Sequence, residues 1–122
     1  MNLLFVGTVE FSRRCLLAVR EAGEAPDVLT MREGPGRQRH SDWSDLSTLA
    51  PRAVYYDPAP EFIRAQQYDL ILVCGWSRLL PLDLAPQMVG THPTMLPRGR
   101  GRHPMPWSII LTDGAWTGLT FF

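Results

Sequence analysis

The chain has no lysine. All twelve basic residues are arginine, balanced by twelve acidic ones for a formal net charge of zero. A neutral chain has no bulk field to draw nucleic acid or a membrane surface. Its positive charge is instead local, with Arg32, Arg37 and Arg39 in one stretch and Arg98, Arg100 and Arg102 in another. The planar guanidinium fork suits phosphates and carboxylates, and the missing lysine reads as a compositional bias of the source. Cysteine is scarce. Cys15 and Cys74 lie far apart and match no metal-ligand spacing, so no metal site is expected and a reduced, cytoplasmic setting is. No apolar run approaches about 18 residues, so no membrane-spanning helix is expected. The opening residues hold neither a basic n-region nor a cleavage site, so no secretory leader is expected either. There is no internal repeat and no low-complexity tract.

What is present fits one globular domain of 122 residues, 45% hydrophobic and 20% charged. Asn2–Val6 is a short apolar run that reads as a buried strand, ended by Gly7-Thr8. Glu10–Ala22 reads as a helix, with Phe11, Cys15, Leu16 and Val19 at helical spacing and Gly23 as its stop. Pro26–Met31 reads as a second strand, completing a βαβ unit. Arg32–His40 reads as an exposed loop, and Ser41 or Asp42 as the cap of a short helix through Ala50. Ala53–Tyr56 is a third strand and Pro60–Gln67 a helix. Tyr68–Cys74 carries the unbroken row Leu70-Ile71-Leu72-Val73, which predicts a strand buried on both faces at the centre of a parallel sheet. A loop over Gly75–Leu80 and a helical turn over Leu82–Ala85 follow. Met88–Thr91 is a fifth strand, Pro104–Leu111 a helix and Thr117–Phe122 a sixth strand. Strands alternating with helices predict an α/β fold with a Rossmann-like, doubly wound, mostly parallel sheet.

Such folds commonly take nucleotides, and the first turn tests that. Gly7-Thr8-Val9-Glu10-Phe11 has one glycine where a dinucleotide fingerprint needs three, so NAD-type binding is disfavoured. There is no P-loop. Attention moves to Gly90–Gly101, between the fifth strand and the next helix, where doubly wound folds place ligands. His92 lies in this stretch. Pro93 and Pro97 stiffen it, and Gly99 and Gly101 allow tight turning between Arg98, Arg100 and Arg102.

Four stretches resemble one family in order. Phe5-Val6-Gly7-Thr8-Val9-Glu10-Phe11-Ser12 resembles the opening of the 10-formyltetrahydrofolate-dependent formyltransferases, Phe-x-Gly-Thr-x-x-Phe. Asp69–Pro81 resembles their central strand and following loop. Gly90–Gly101 resembles their signature Asn-x-His-x-Ser-x-Leu-Pro-x-x-Arg-Gly, and Thr117-Gly118-Leu119-Thr120 their Thr-Gly-Val-Thr strand. The pattern His-Pro-Thr-x-Leu-Pro-x-x-Arg-Gly-Arg, followed by Pro104 and Trp107, looks most like the branch that formylates amino sugars.

The resemblance implies formyl transfer from 10-formyltetrahydrofolate to a primary amine. The implied acceptor is a nucleotide-linked amino sugar. The alternatives are that the chain is a fragment of a methionyl-tRNA formyltransferase or a non-catalytic remnant. It implies His92 as the catalytic residue that meets the developing oxyanion or handles the proton. Backbone groups of Arg78, Leu79 and Leu80, with Trp76 as lining, are the implied cofactor contacts. For Leu79 and Leu80 the competing reading is ordinary core, and for Trp107 it is helix packing. Gly7, Thr8, Arg98, Arg100 and Arg102 are weaker candidates for substrate contact, Arg100 also for anchoring its own loop. The family's Asn aligns with Gly90, so that amide donor is absent, and a backbone N–H or a water is the expected substitute. The family's Asp belongs to a segment beyond Phe122, and Asp113 comes too early to replace it. The chain thus reads as residues 1–122 of an N-terminal formyltransferase domain, incomplete at its C-terminus. On this reading the last strand is left uncovered, and a homodimer through it is expected.

Overall fold

The computed structural model describes residues 1–32, 42–56 and 59–122. The expected loop from Arg32 to His40, with Arg37 and Arg39, lies outside the described residues beyond Arg32, as does Ser41 as a cap. The chain divides into two compact units, Met1–Val89 and Gly90–Phe122.

In the first unit β1 (Leu3–Val6), β2 (Asp27–Thr30), β3 (Ala53–Tyr55) and β4 (Leu70–Val73) pair in parallel in the order β3-β2-β1-β4. Alternation of side chains along β1 divides the core. Leu4 and Val6 join Leu29, Ile71 and Ile63 of helix α2 (Ala59–Gln66). Phe5 joins Val28, Leu46 and Leu16 of helix α1 (Glu10–Glu21). Each sheet face carries one helix, which is why these strands read as continuous apolar runs. All four residues of β1 are buried, and β1 pairs on both sides. In β4 only Ile71 is fully buried. β4 nonetheless pairs in parallel with β1 and is an inner strand of the sheet order, as its apolar row predicts.

Helix α1 ends as its glycine requires, with Gly23 at φ +93°. Of its expected stripe Leu16 is buried, Cys15 packs against the core and Val19 is half-buried, whereas Phe11 is exposed and Ser12 is buried instead. The helix expected after Asp42 is a single 3₁₀ turn, Ser47–Leu49. Tertiary contacts claim the segment first. Trp43 bridges Val9 and its indole N–H donates to the Met31 carbonyl at 3.2 Å. Asp42 acts through its backbone, its carbonyl accepting the Glu10 N–H at 2.8 Å at the start of α1. Leu82–Gln87 forms a second 3₁₀ segment.

The second unit holds most of β5 (Met88–Thr94), helix α3 (Pro104–Thr112) and β6 (Thr117–Phe121). β5 and β6 pair antiparallel, with Thr91 opposite Phe121 and His92 opposite Thr120. β5 runs three residues past its expected end. Pro93, expected to stiffen the stretch after the strand, lies inside it, where the register shift between His92 and Thr94 accommodates it as a bulge.

Candidate active site

In the first unit the strand ends of β1 and β4 are tied together by Ser12. Its hydroxyl accepts the N–H groups of Thr8 at 3.1 Å and Val9 at 3.2 Å and donates to the Cys74 carbonyl at 2.6 Å. The closeness of this packing explains two glycines. A Cβ on Gly7 would meet Ser12 Cβ at 2.5 Å and the Cys74 carbonyl at 2.6 Å. One on Gly75, itself at φ +66°, would meet Ser12 Oγ at 2.5 Å. Gly7 and Thr8, the candidates for substrate contact, are both buried, and the Thr8 Oγ1 has no hydrogen-bond partner among the described residues. Ser12 is the residue that sequence reasoning missed. It belongs to the opening motif, and its signal was the pair of glycines that it crowds.

The loop after β4 divides the cofactor candidates. Trp76 is half-buried with its ring edge-on to Tyr56, centroids 5.3 Å apart, and its buried indole N–H has no partner among the described residues. Leu80 packs against the core. Leu79 does not: its side chain is 92% exposed, while its carbonyl accepts the Tyr56 hydroxyl at 3.2 Å. Core packing therefore explains Leu80 and fails for Leu79. Arg78 is exposed. The backbone N–H groups of residues 78 to 80 donate to no group among the described residues, which leaves three consecutive donors for a ligand edge or water.

In the second unit His92 is half-buried within β5, not in a loop beyond it, and its Nε2 lies 2.7 Å from the Gly99 carbonyl oxygen. Gly90 shares its face of the strand, two residues away. Phe122 stands opposite Gly90, the two exchanging N–H···O bonds of 2.7 and 3.0 Å. The Gly90 N–H is thus already spent on the Phe122 carbonyl and cannot replace the absent amide. The Phe122 ring occupies the space over Gly90, where a Cβ would come within 2.7 Å of Cζ. Asp113 ends α3 in a left-handed conformation, its N–H on the Ile109 carbonyl at 3.1 Å.

Arg98, Arg100 and Arg102 are exposed, and none has a side-chain partner among the described residues. Arg100 therefore does not anchor its loop. Thr94 does: its buried hydroxyl donates to the Arg98 carbonyl at 2.7 Å, with the Gly99 carbonyl 3.2 Å away. Trp107, expected to pack its helix, is 53% exposed. Cys15 and Cys74 are not joined in a disulfide, and burial pushes the Cys15 thiol up from its ordinary value. No cluster of metal-ligating side chains exists among the described residues, and no described helix is long and apolar enough to cross a membrane.

No family model matches the chain. A methionyl-tRNA formyltransferase of Solibacter usitatus is 32% identical over 125 residues, covering 90% of this chain and 40% of that protein. One from Paraburkholderia phymatum is 32% identical over 143 residues, covering 98% and 43%. The chain thus spans less than half the length of these curated relatives. Among solved structures, the phosphoribosylglycinamide formyltransferase of Bacillus halodurans superposes with a TM-score of 0.70 at 15% identity, covering 99% of this chain and 70% of that one. A formyltetrahydrofolate deformylase of Pseudomonas syringae superposes with a TM-score of 0.62 at 15% identity, covering 88% and 40%. These similarities show that the fold is the mostly parallel α/β fold of such proteins.

Proposed function

We propose that this chain, a relative of the formyltransferases over their N-terminal part, takes part in formyl transfer from 10-formyltetrahydrofolate to a primary amine. The observation that carries the reading is the sequence match to curated relatives over 90% and 98% of the chain. The N–H row at residues 78 to 80, which donates to no group among the described residues, supports donor binding there, since a pterin edge is a line of hydrogen-bonding groups. His92 supports the chemistry. In the reaction a bond forms between the amine nitrogen and the formyl carbon, and the bond from that carbon to folate N10 breaks. The proton lost by the amine passes through the His92 imidazole and ends on N10.

The acceptor favoured is methionyl-tRNA. The relatives compared above carry that name, and none of those compared is named for an amino sugar. The nucleotide-linked amino sugar expected from the His92–Arg102 pattern becomes the second reading. Arg98, Arg100 and Arg102, which have no side-chain partner among the described residues, suit the phosphates of either acceptor.

Calorimetric titration with 5-formyltetrahydrofolate and with NAD tests the donor site: the folate binds more tightly, and tighter NAD binding overturns the reading. Formyl transfer to methionyl-tRNA and to a nucleotide-linked amino sugar, measured side by side, separates the acceptors. His92→Ala lowers kcat by roughly 10²–10⁴. An equally active variant removes His92 from the mechanism.

A further inference from the structure

We propose that Gly99 and Thr94 are positioning residues for His92, holding its imidazole as the Nε2–H tautomer and leaving Nδ1 as the ring atom that accepts a proton. The inference rests on the reading of His92 as the proton-handling group, but its geometry stands apart from that reading. The Gly99 carbonyl oxygen can only accept a hydrogen bond. At 2.7 Å from it, His92 Nε2 must therefore carry the hydrogen. A neutral imidazole has one N–H, so its Nδ1 presents a bare lone pair, and Nδ1 has no partner among the described residues.

The carbonyl is held in place by the fold-back of residues 94 to 99. The buried Thr94 hydroxyl donates to the Arg98 carbonyl at 2.7 Å, with a longer branch of 3.2 Å to the Gly99 carbonyl. The Arg98 N–H donates to the Met95 carbonyl at 3.2 Å, closing the turn. The base of the turn is fastened to β6. Thr120 donates its hydroxyl to the Thr94 carbonyl at 2.7 Å and accepts the Leu96 N–H at 3.1 Å. Position 99 must be glycine for two reasons: its φ is +67°, and a Cβ there would come within 2.7 Å of Thr94 Cγ2. Thr94 thus meets Gly99 from both sides, by contact and by hydrogen bond.

The test is long-range 1H–15N correlation NMR on the histidine-labelled protein, with steady-state kinetics beside it. Wild type and Thr94→Ser, which keeps the hydroxyl, show His92 with a protonated Nε2 and a bare Nδ1. Thr94→Val, close in shape but without the hydroxyl, shows a mixture of tautomers. It loses roughly 10–100-fold in kcat while KM stays within about twofold. Gly99→Ala shows the same mixture if it folds, and the valine and serine pair decides the matter if it does not. A Nδ1–H tautomer in wild type overturns the proposal, as does a Thr94→Val protein whose ring remains wholly Nε2–H. A wild-type Nε2–H signal in a protein that transfers no formyl group supports the positioning and sinks the activity instead.

Discussion

At the scale of single residues, position 90 departs furthest from the pattern that the rest of its motif follows. An asparagine there would set an amide two residues from His92, on the same face of β5. Its backbone conformation is one any residue adopts, since Gly90 is not among the glycines with positive φ. The obstacle is the Phe122 ring, 2.7 Å from a new Cβ but 69% exposed at its own position. An exposed ring can swing aside, so Gly90→Asn folds, with a stability change of about 1 kcal/mol or less. The expected gain in formyl transfer approaches the roughly 10²-fold effect of one oxyanion donor. It is larger in the Gly90→Asn, Phe122→Ala double variant, where nothing crowds the amide. Turnover unchanged in both variants would mean that another donor already meets the oxyanion, and that the glycine is no loss.

At the scale of elements, a polar tie holds the start of β4 to β2. The Tyr68 hydroxyl donates to Asp27 Oδ2 at 2.6 Å, and Arg52 closes on the same oxygen at 2.8 Å. Burial first, and the Asp27 hydrogen bond second, push the Tyr68 phenol up to about 12. The folded state thus holds this proton more tightly than the unfolded chain, whose tyrosines titrate near 10. The contribution is full below about pH 10 and is lost as pH rises through about 12. Tyr68→Phe costs about 1–2 kcal/mol at neutral pH, the range for a hydrogen bond to a charged group at a partly exposed site. Urea unfolding of both proteins checks it. The gap between their midpoints narrows above about pH 10, and a gap that stays constant to about pH 12 overturns the assignment. The elements themselves were largely legible. Apolar runs and glycine stops locate β1, α1, β2 and β4 within a residue or two, because local sequence governs them. Three features were not. The segment after Asp42 obeys Trp43 and the end of β1 rather than its own helix signals. β5 passes through Pro93 because the register shift is a property of the pair, invisible in one strand. His92 was found by motif, whereas its partner Gly99 and the Ser12 tie depend on contacts that no spacing reveals.

At the scale of the molecule, the apolar surface is unevenly spread. The first unit puts its large side chains inside, with Leu4, Phe5, Leu16, Leu29 and Ile63 all but inaccessible. The second unit does the reverse. Met105, Trp107, Ile109, Ile110 and Leu111 of α3 are all exposed, Ile110 at 70%, as are Leu119, Phe121 and Phe122. A helix apolar on every side belongs in an interior, and soluble monomers rarely leave contiguous apolar patches above a few hundred Å². The sequence located such a liability on the last strand; the structure adds α3, whose tryptophan had read as packed. Each Å² removed from water by a second surface is worth roughly 25 cal/mol, so even partial cover of such a helix offsets a large part of the entropy lost on association. The 122-residue chain by itself is therefore expected to self-associate at tens of micromolar, on the order of concentrations used for sedimentation. Trp107→Gln with Ile110→Glu shifts it toward monomer. Both side chains are exposed, so the pair changes stability by no more than about 1 kcal/mol. A chain that sediments as a monomer without these substitutions would show that α3 tolerates water, and the argument from its composition would fail.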